Sequence, residues 1–138
     1  MREDVAGKIR MRLTYADVDN VQFFFGNYYH WMDRALAELF IACGYARSAA
    51  LQEGVGFPVV ESGCKYLKRA VVDQVLTVEA RFAAMTRRSF RVAYTFLHDD
   101  GAVAAEGFTQ HVCVNIRKME AKSVPIEFSG SDPQDGAQ

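Results

Sequence analysis

Two carboxylates precede the clearest helical signal of the chain, in the stretch YADVDNVQFFFGNYYHWMD (15–33). Asp17 and Asp19 stand one residue apart, and a helical pattern starts within eight residues of Asp19. A carboxylate can attack a carbonyl carbon or deprotonate water for that attack. The first N–H groups of a helix can hold an oxygen that gains negative charge. The pair of features suits attack on a carbonyl group, although DVDN is also typical of a solvated turn or a capping segment.

Aromatic residues fill the gap between the aspartates and the helix. Phe23, Phe24 and Phe25 either pack at the mouth of the helix or form the wall of a pocket for a flat or apolar group. Asn27 is a candidate N-cap and a second candidate for substrate contact. His30 follows on the polar face of the helix, where we expect a surface or interface role.

The helix itself is predicted between Asn27 and a C-terminal stop at Gly44. A span of about 17 residues would measure roughly 25 Å, enough to cross a small sheet. Apolar residues recur at three- and four-residue spacing and predict one buried stripe: Tyr28, Trp31, Met32, Ala35, Leu36, Leu39, Phe40 and Cys43. The opposite face is mostly polar and carries Tyr29, His30, Asp33, Arg34 and Glu38.

Strands dominate the rest of the chain. Alternating patterns predict them over 8–15, 59–67, 74–86, 89–99 and 102–116, with a hairpin turn at 99–101. A short helical or irregular segment (47–53) and a turn-rich connection (54–58) precede the second strand. One long helix and five antiparallel strands predict an α+β domain over 1–128, followed by a flexible tail over 129–138. One helix covers only one face of such a sheet, so we expect at least a dimer.

Composition excludes several classes of function. The chain has 138 residues, half of them hydrophobic, and a net charge of −1, which argues against nucleic-acid binding. No apolar run is long enough to span a bilayer, and MREDVAGKIR (1–10) is too polar for a signal peptide, so we expect a cytoplasmic protein. Three scattered cysteines and three scattered histidines have no metal-ligand spacing, so we expect no metal.

The motifs YADVDN (15–20) and NYYHWMD (27–33) resemble those of the hotdog-fold acyl-CoA thioesterases of the 4-hydroxybenzoyl-CoA thioesterase family. The similarity covers roughly residues 8–127 and includes FIACG (40–44), VESGCKYL (60–67) and HVCVNI (111–116). The resemblance implies a hotdog fold, in which a five-stranded antiparallel sheet wraps one long helix, and a homodimer or homotetramer. It also implies hydrolysis of an acyl-CoA or aroyl-CoA thioester with no cofactor, because coenzyme A is part of the substrate.

The resemblance assigns roles to individual residues. Asp19 matches the catalytic carboxylate, as nucleophile or general base, and the backbone N–H of Phe25 or Gly26 would hold the thioester oxygen. Arg87 and Arg88 match basic residues that contact coenzyme A phosphates across a subunit boundary, whereas a basic turn can also be merely solvated. Tyr15 matches a tyrosine that lines the site in part of the family, but a strand-end aromatic is as compatible with the core.

Two departures from the family pattern stand out. NVQFFFG (20–26) is one residue shorter than in most relatives and lacks their glycine, and Phe25 replaces a histidine of the envelope-linked branch. A mechanism that needs that imidazole does not carry over. The alternatives to an acyl-CoA thioesterase are an acyl-carrier-protein thioesterase and a non-catalytic hotdog module that binds acyl thioesters or a protein.

Overall fold

The computed structural model describes residues 1–17 and 25–130. Its elements follow in chain order: β1 (Gly7–Arg12), a 3-10 turn (Tyr15–Asp17), α1 (Gly26–Ala42), α2 (Arg47–Gln52), β2 (Val55–Gly56), β3 (Val59–Tyr66), β4 (Val75–Met85), β5 (Ser89–His98), β6 (Val103–Val112), β7 (Val114–Asn115), β8 (Glu120–Ala121) and α3 (Ile126–Ser129). Within this described part, no helix has the length and apolar character needed to cross a membrane.

The main sheet has five antiparallel strands in the order β1-β4-β5-β6-β3, so β1 and β3 form its edges. A smaller sheet has the order β2-β7-β8. Helix α1 lies on one face of the main sheet and contacts β1 and β4 most extensively. One long helix wrapped by a five-stranded antiparallel sheet is the hotdog fold that the family resemblance implies.

The core forms between α1 and the inner face of the sheet. All eight members of the predicted helical stripe are buried. Alternate residues of β5 face them: Phe90, Val92, Tyr94 and Phe96. At Gly7 the strand β1 approaches α1 so closely that a Cβ atom would overlap the backbone of Ala35 and Leu39. Only glycine fits this contact between the edge strand and the helix.

Several boundaries differ from the sequence-based expectations. The first strand ends at Arg12, and residues 15–17 form a 3-10 turn. Tyr15 is 85% exposed there, so a core role for it is wrong. Helix α1 begins at Gly26, with Phe25 at the N-cap position and no side-chain cap, so Asn27 is not the cap. Gly44 follows the helix with φ of 82°, which confirms the predicted stop.

The two chain ends of the described part pack together. The Arg2 N–H donates to the Phe128 carbonyl at 2.9 Å, and Val5 and Phe128 are buried. Ser129 ends α3 and is also buried. Of the expected tail, residues 131–138 lie outside the described residues.

Candidate active site

The start of α1 is fastened to the turn that carries Asp17. The Asn27 side-chain amide donates to the Asp17 carbonyl at 3.0 Å. The Asp17 carboxylate accepts from the Thr14 N–H at 2.8 Å and from the Thr14 hydroxyl at 3.2 Å. Asp17 therefore closes its own turn, and Asn27 joins that turn to the helix.

A tyrosine from β3 supports the same corner. The Tyr66 hydroxyl donates to the Phe25 carbonyl at 3.4 Å, and its ring meets the Tyr28 ring edge-on with centroids 4.8 Å apart. Tyr28 in turn packs on Phe96 of β5 at 5.1 Å. Burial raises the pKa of Tyr66 to about 12, so its hydroxyl stays protonated and donates at neutral pH. These contacts fix the start of α1 against the end of β3.

The predicted site residues fall into two groups. Asp19, Phe23 and Phe24 lie outside the described residues. Phe25, Gly26 and Asn27 form the first turn of α1, and the Phe25 side chain is 61% exposed. The N–H groups of a first helical turn lack partners inside the helix and favour a developing negative charge.

Two adjoining cavities run along α1 away from its start. The proximal cavity has a volume of about 180 Å³, and its lining includes Tyr29, Met32, Asp33, Ser62, Tyr94 and Thr109. The distal cavity has a volume of about 310 Å³, and its lining includes Phe40, Arg47, Ala50, Leu51, Phe57 and Ile116. Both cavities are also lined by one shared set, here called the neck: Asp33, Leu36, Val59 and His111.

A buried chain of hydrogen bonds forms the floor of the proximal cavity. The Tyr94 and Thr109 hydroxyls are 2.8 Å apart, His111 Nε2 lies 2.7 Å from the Thr109 hydroxyl, and His111 Nδ1 lies 2.9 Å from the Phe57 carbonyl. A carbonyl only accepts, so Nδ1 carries the proton, and a neutral His111 accepts from Thr109. Burial is the main cause that lowers the pKa of His111, which favours this neutral form.

An ion pair borders the neck. The Arg47 guanidinium donates to both carboxylate oxygens of Asp33, at 2.6 Å and 3.2 Å, and also to the Asp33 carbonyl. The pair joins α2 to α1 and is partly exposed. Because the two charges face each other, the pair presents little net charge to an occupant of the cavities.

The basic turn lies at the opposite end of the sheet from the start of α1. Arg87 and Arg88 form the tip of the β4–β5 hairpin, as the sequence predicts, and both are exposed. Within residues 1–17 and 25–130, neither guanidinium has an ion-pair partner. Phe90, next to this turn, contacts Phe40 late in α1, whereas Phe96 contacts Tyr28 at its start. The six residue steps from Phe90 to Phe96 span about 20 Å of strand.

The cysteines do not contribute reactive groups to this site. Burial raises the pKa of Cys43, Cys64 and Cys113, which favours the neutral thiol. Among the described residues, no group of three histidine, cysteine or carboxylate side chains converges as metal ligands do.

The sequence analysis missed Tyr66, the Tyr94–Thr109–His111 chain and the Asp33–Arg47 pair. Thr109 and His111 are two residues apart in a strand and therefore face the same side. Polar residues at inward-facing positions were the signal that could have predicted this chain of hydrogen bonds. No sequence pattern predicts the ion pair of Arg47, because its partner Asp33 lies on another helix.

The chain is similar to known thioesterases. The family model described as "Thioesterase superfamily" matches residues 23–105. A 4-hydroxybenzoyl-CoA thioesterase from Pseudomonas sp. (strain CBS-3) is 33% identical over 86 residues, 59% of this chain. The aligned part covers 61% of the length of that relative.

Solved structures show the same fold. A gentisyl-coenzyme A thioesterase superposes with a TM-score of 0.79 at 25% identity, over 87% of this chain and 97% of the other. A hypothetical protein from Thermus thermophilus superposes with a TM-score of 0.82 at 26% identity, over 90% of this chain and 98% of the other. With a family model that matches more than half of its residues, the chain belongs to the thioesterase superfamily.

Proposed function

We propose that this chain hydrolyses acyl-CoA or aroyl-CoA thioesters, with Asp19 as the nucleophile or general base and the start of α1 as the oxyanion site. The observation that carries the proposal is the hydrogen bond between Asn27 and the Asp17 carbonyl, which joins the two ends of the segment that contains Asp19. Similarity to proteins named as CoA thioesterases supports the reaction type.

Chain geometry supports the placement of Asp19. Consecutive Cα atoms are about 3.8 Å apart, so the Cα atom of Asp19 is within about 7.6 Å of that of Asp17 along any path. The Asp17 carbonyl accepts a hydrogen bond from Asn27 in the first turn of α1. Asp17 itself is engaged by Thr14, which favours Asp19 as the reacting carboxylate.

Two routes follow from this chemistry. In the nucleophilic route, an Asp19 oxygen attacks the thioester carbon, the coenzyme A thiolate leaves, and water then hydrolyses the mixed anhydride. In the general-base route, Asp19 takes a proton from water, the water oxygen attacks the thioester carbon, and the C–S bond breaks to release the coenzyme A thiolate. In both routes the N–H groups of Phe25 and Gly26 would stabilise the oxyanion. Coenzyme A enters only as part of the substrate.

The remaining predicted residues would bind the substrate. Phe23, Phe24 and Tyr15 are candidates for the rim, and the proximal cavity beside Tyr29 is the candidate space for the acyl group. The Asn27 side-chain amide donates to the Asp17 carbonyl, so we propose that Asn27 holds the turn of residues 15–17 against the start of α1. Guanidinium groups suit phosphate, and we assign Arg87 and Arg88 to the coenzyme A phosphates.

A second subunit would complete the site. Arg87 and Arg88 lie at the far end of the sheet from the α1 start of their own chain. The edge strand β3 exposes apolar side chains on and next to it: Val59, Val60, Tyr66 and Leu67. The other edge, β1, carries Lys8, Arg10 and Arg12. Charged edges resist pairing, so β3 is the edge we assign to a homodimer, and two such dimers would form the homotetramer.

Antiparallel pairing of β3 with its two-fold copy has a direct consequence. Centred pairing would place the partner's Val59 opposite Tyr66, beside the start of α1. The Val59 end of β3 lies near the basic turn, because the Cys113 N–H donates to the Arg88 carbonyl and the Val112 N–H to the Pro58 carbonyl. Each active site would then combine Asp19 of one subunit with the basic turn of its partner.

A substrate panel tests the proposed function. The purified chain is incubated with alkanoyl-CoA and aroyl-CoA thioesters, and free thiol is measured over time. We expect turnover of at least one thioester and a higher KM for coenzyme A substrates in Arg87→Ala/Arg88→Ala. A preference for carrier-protein thioesters, with no effect of the arginine variant, would favour the acyl-carrier-protein alternative. Binding without turnover on every substrate would favour the non-catalytic module and contradict the proposal.

A further inference from the structure

The two cavities along α1 lie next to each other. Four residues, Asp33 and Leu36 of α1, Val59 of β3 and His111 of β6, line both cavities. Tyr29, Asp33, Leu36 and Phe40 follow one another at three- and four-residue steps, so one stripe of α1 borders both cavities. From Tyr29 to Phe40 this stripe extends about 16 Å away from the helix start.

Both cavities are lined mainly by apolar surface. The Tyr94 and Thr109 hydroxyls beside the proximal cavity are buried and hydrogen-bonded to each other. The distal cavity is bordered mainly by apolar side chains, among them Phe40, Leu51, Phe57 and Ile116. Its charged members, Asp33 and Arg47, are paired with each other. An occupant of the distal cavity therefore gains from apolar contact and finds few partners for its own polar groups.

The two cavities differ in volume. The proximal cavity, at about 180 Å³, lies below the volume of about 300 Å³ at which small-molecule pockets begin. The distal cavity adds about 310 Å³. A short acyl group would fill the proximal cavity alone, and a longer one would need the distal cavity.

We infer that the distal cavity receives the apolar end of an acyl group longer than a single ring, such as a medium-length alkanoyl chain that passes through the neck. The inference rests on the proposed function and names its substrate class. The pantetheine arm of coenzyme A is a poorer occupant, because its two amides would lose hydrogen bonds against the apolar walls.

The test fills the distal cavity from α2, away from the edge strand β3 that we assign to the dimer. Leu51 lines the distal cavity and is 66% exposed, so Leu51→Trp adds bulk there with little disturbance of the core. Gln52→Trp is the matched control, because Gln52 is also exposed on the same helix and belongs to the lining of neither cavity. Hydrolysis of butyryl-CoA and decanoyl-CoA is measured for the parent and both variants, with thermal unfolding as the check on folding.

We expect the parent to prefer decanoyl-CoA in kcat/KM by at least about tenfold, since an apolar pocket gains this much from a few methylene groups. Leu51→Trp should lose that preference while its butyryl-CoA hydrolysis stays within about twofold, and Gln52→Trp should keep it. Equal losses on both substrates in Leu51→Trp, or a parent without chain-length preference, would overturn the inference and leave the proposed function standing.

A binding measurement separates the two proposals if no thioester is hydrolysed. Decanoic acid is then titrated calorimetrically into the parent and both variants. Binding to the parent and to Gln52→Trp, lost in Leu51→Trp, would support the distal cavity as the apolar subsite although the hydrolase proposal had failed. Absence of binding to the parent would overturn the inference.

Discussion

His111 has a polar ring in a position where alternation predicts an apolar side chain. It is 1% exposed, stacks on Phe90 with centroids 4.8 Å apart, and uses both ring nitrogens in hydrogen bonds. Protonation would turn Nε2 from an acceptor into a donor and would place a charge in the core. The residue therefore couples folding to pH.

The sign of this coupling follows from the lowered pKa of His111. The unfolded chain, with an ordinary histidine pKa of 6.5, binds a proton more readily than the folded chain. The contribution of His111 is thus fully present above pH 6.5 and is lost as pH falls towards the lower pKa of the folded state, by at most about 1.4 kcal/mol per pH unit. Urea unfolding at about pH 8, 7, 6 and 5 measures this loss of unfolding free energy.

Variants separate His111 from the other titrating groups. His111→Gln should flatten the fall in unfolding free energy below pH 6.5, whereas His30→Gln, at an exposed position, should not change it. The same slope in the parent and in His111→Gln would contradict the account.

At the scale of single residues, sequence reasoning predicts the start of α1 to within two residues and places Arg87 and Arg88 at a turn, both of which the structure confirms. It assigned Asn27 wrongly, because the amide binds a carbonyl ten residues earlier rather than its own helix end. The preference of asparagine for N-cap positions does not show that a distant carbonyl will bind its side-chain amide instead.

At the scale of elements, β1 approaches α1 closely at Gly7. A Cβ atom at Gly7 would overlap the backbone of Ala35 and Leu39, which cannot move aside as a flexible side chain can. We therefore predict that Gly7→Ala lowers the free energy of unfolding by about 1–3 kcal/mol, the usual cost of overpacking. Chemical denaturation of the purified variant measures this loss.

Arg10→Ala on the same strand is the control. Arg10 points outward, and its ion pair with Asp99 is exposed, so its removal should cost no more than about 1 kcal/mol. If Gly7→Ala were as stable as the parent, the close approach of β1 to α1 would be refuted.

Elements were predictable where one pattern repeats along a single segment. The alternation of β4 and β5 and the stripe of α1 reveal their buried faces directly, because each period belongs to one kind of element. The neck was not predictable in this way. Its members come from three elements, and Asp33 and His111 are separated by most of the domain, so only the sheet order brings them together.

At the scale of the whole molecule, the proposed site requires two chains. Asp19 belongs to the segment next to the start of α1, whereas Arg87 and Arg88 lie at the other end of the sheet of the same chain. In the two-fold dimer that we propose through β3, the partner's turn would lie beside this chain's helix start. Separate inactivation of the two parts can therefore be complemented by mixing subunits.

Complementation tests this shared site. Asp19→Asn and Arg87→Ala/Arg88→Ala chains are each expected to be impaired as pure assemblies. Unfolded together and refolded as a mixture, they should regain activity well above the sum of the two, because a mixed dimer holds one site with both parts intact. Mixed dimers that form, as seen by native mass spectrometry, without any gain in activity would contradict a site shared between subunits.

The central claim is that Asp19, and not Asp17, carries the chemistry, and the most direct measurement compares their isosteric variants on one CoA thioester that the parent hydrolyses. Asp19→Asn should reduce kcat by about 10²–10⁴-fold, the usual contribution of a positioned acid or base, with the folded structure unchanged by circular dichroism. Asp17→Asn should retain most of kcat and lose thermal stability, because the Asp17 carboxylate accepts two hydrogen bonds from Thr14. An Asp19→Asn chain as active as the parent would contradict the account.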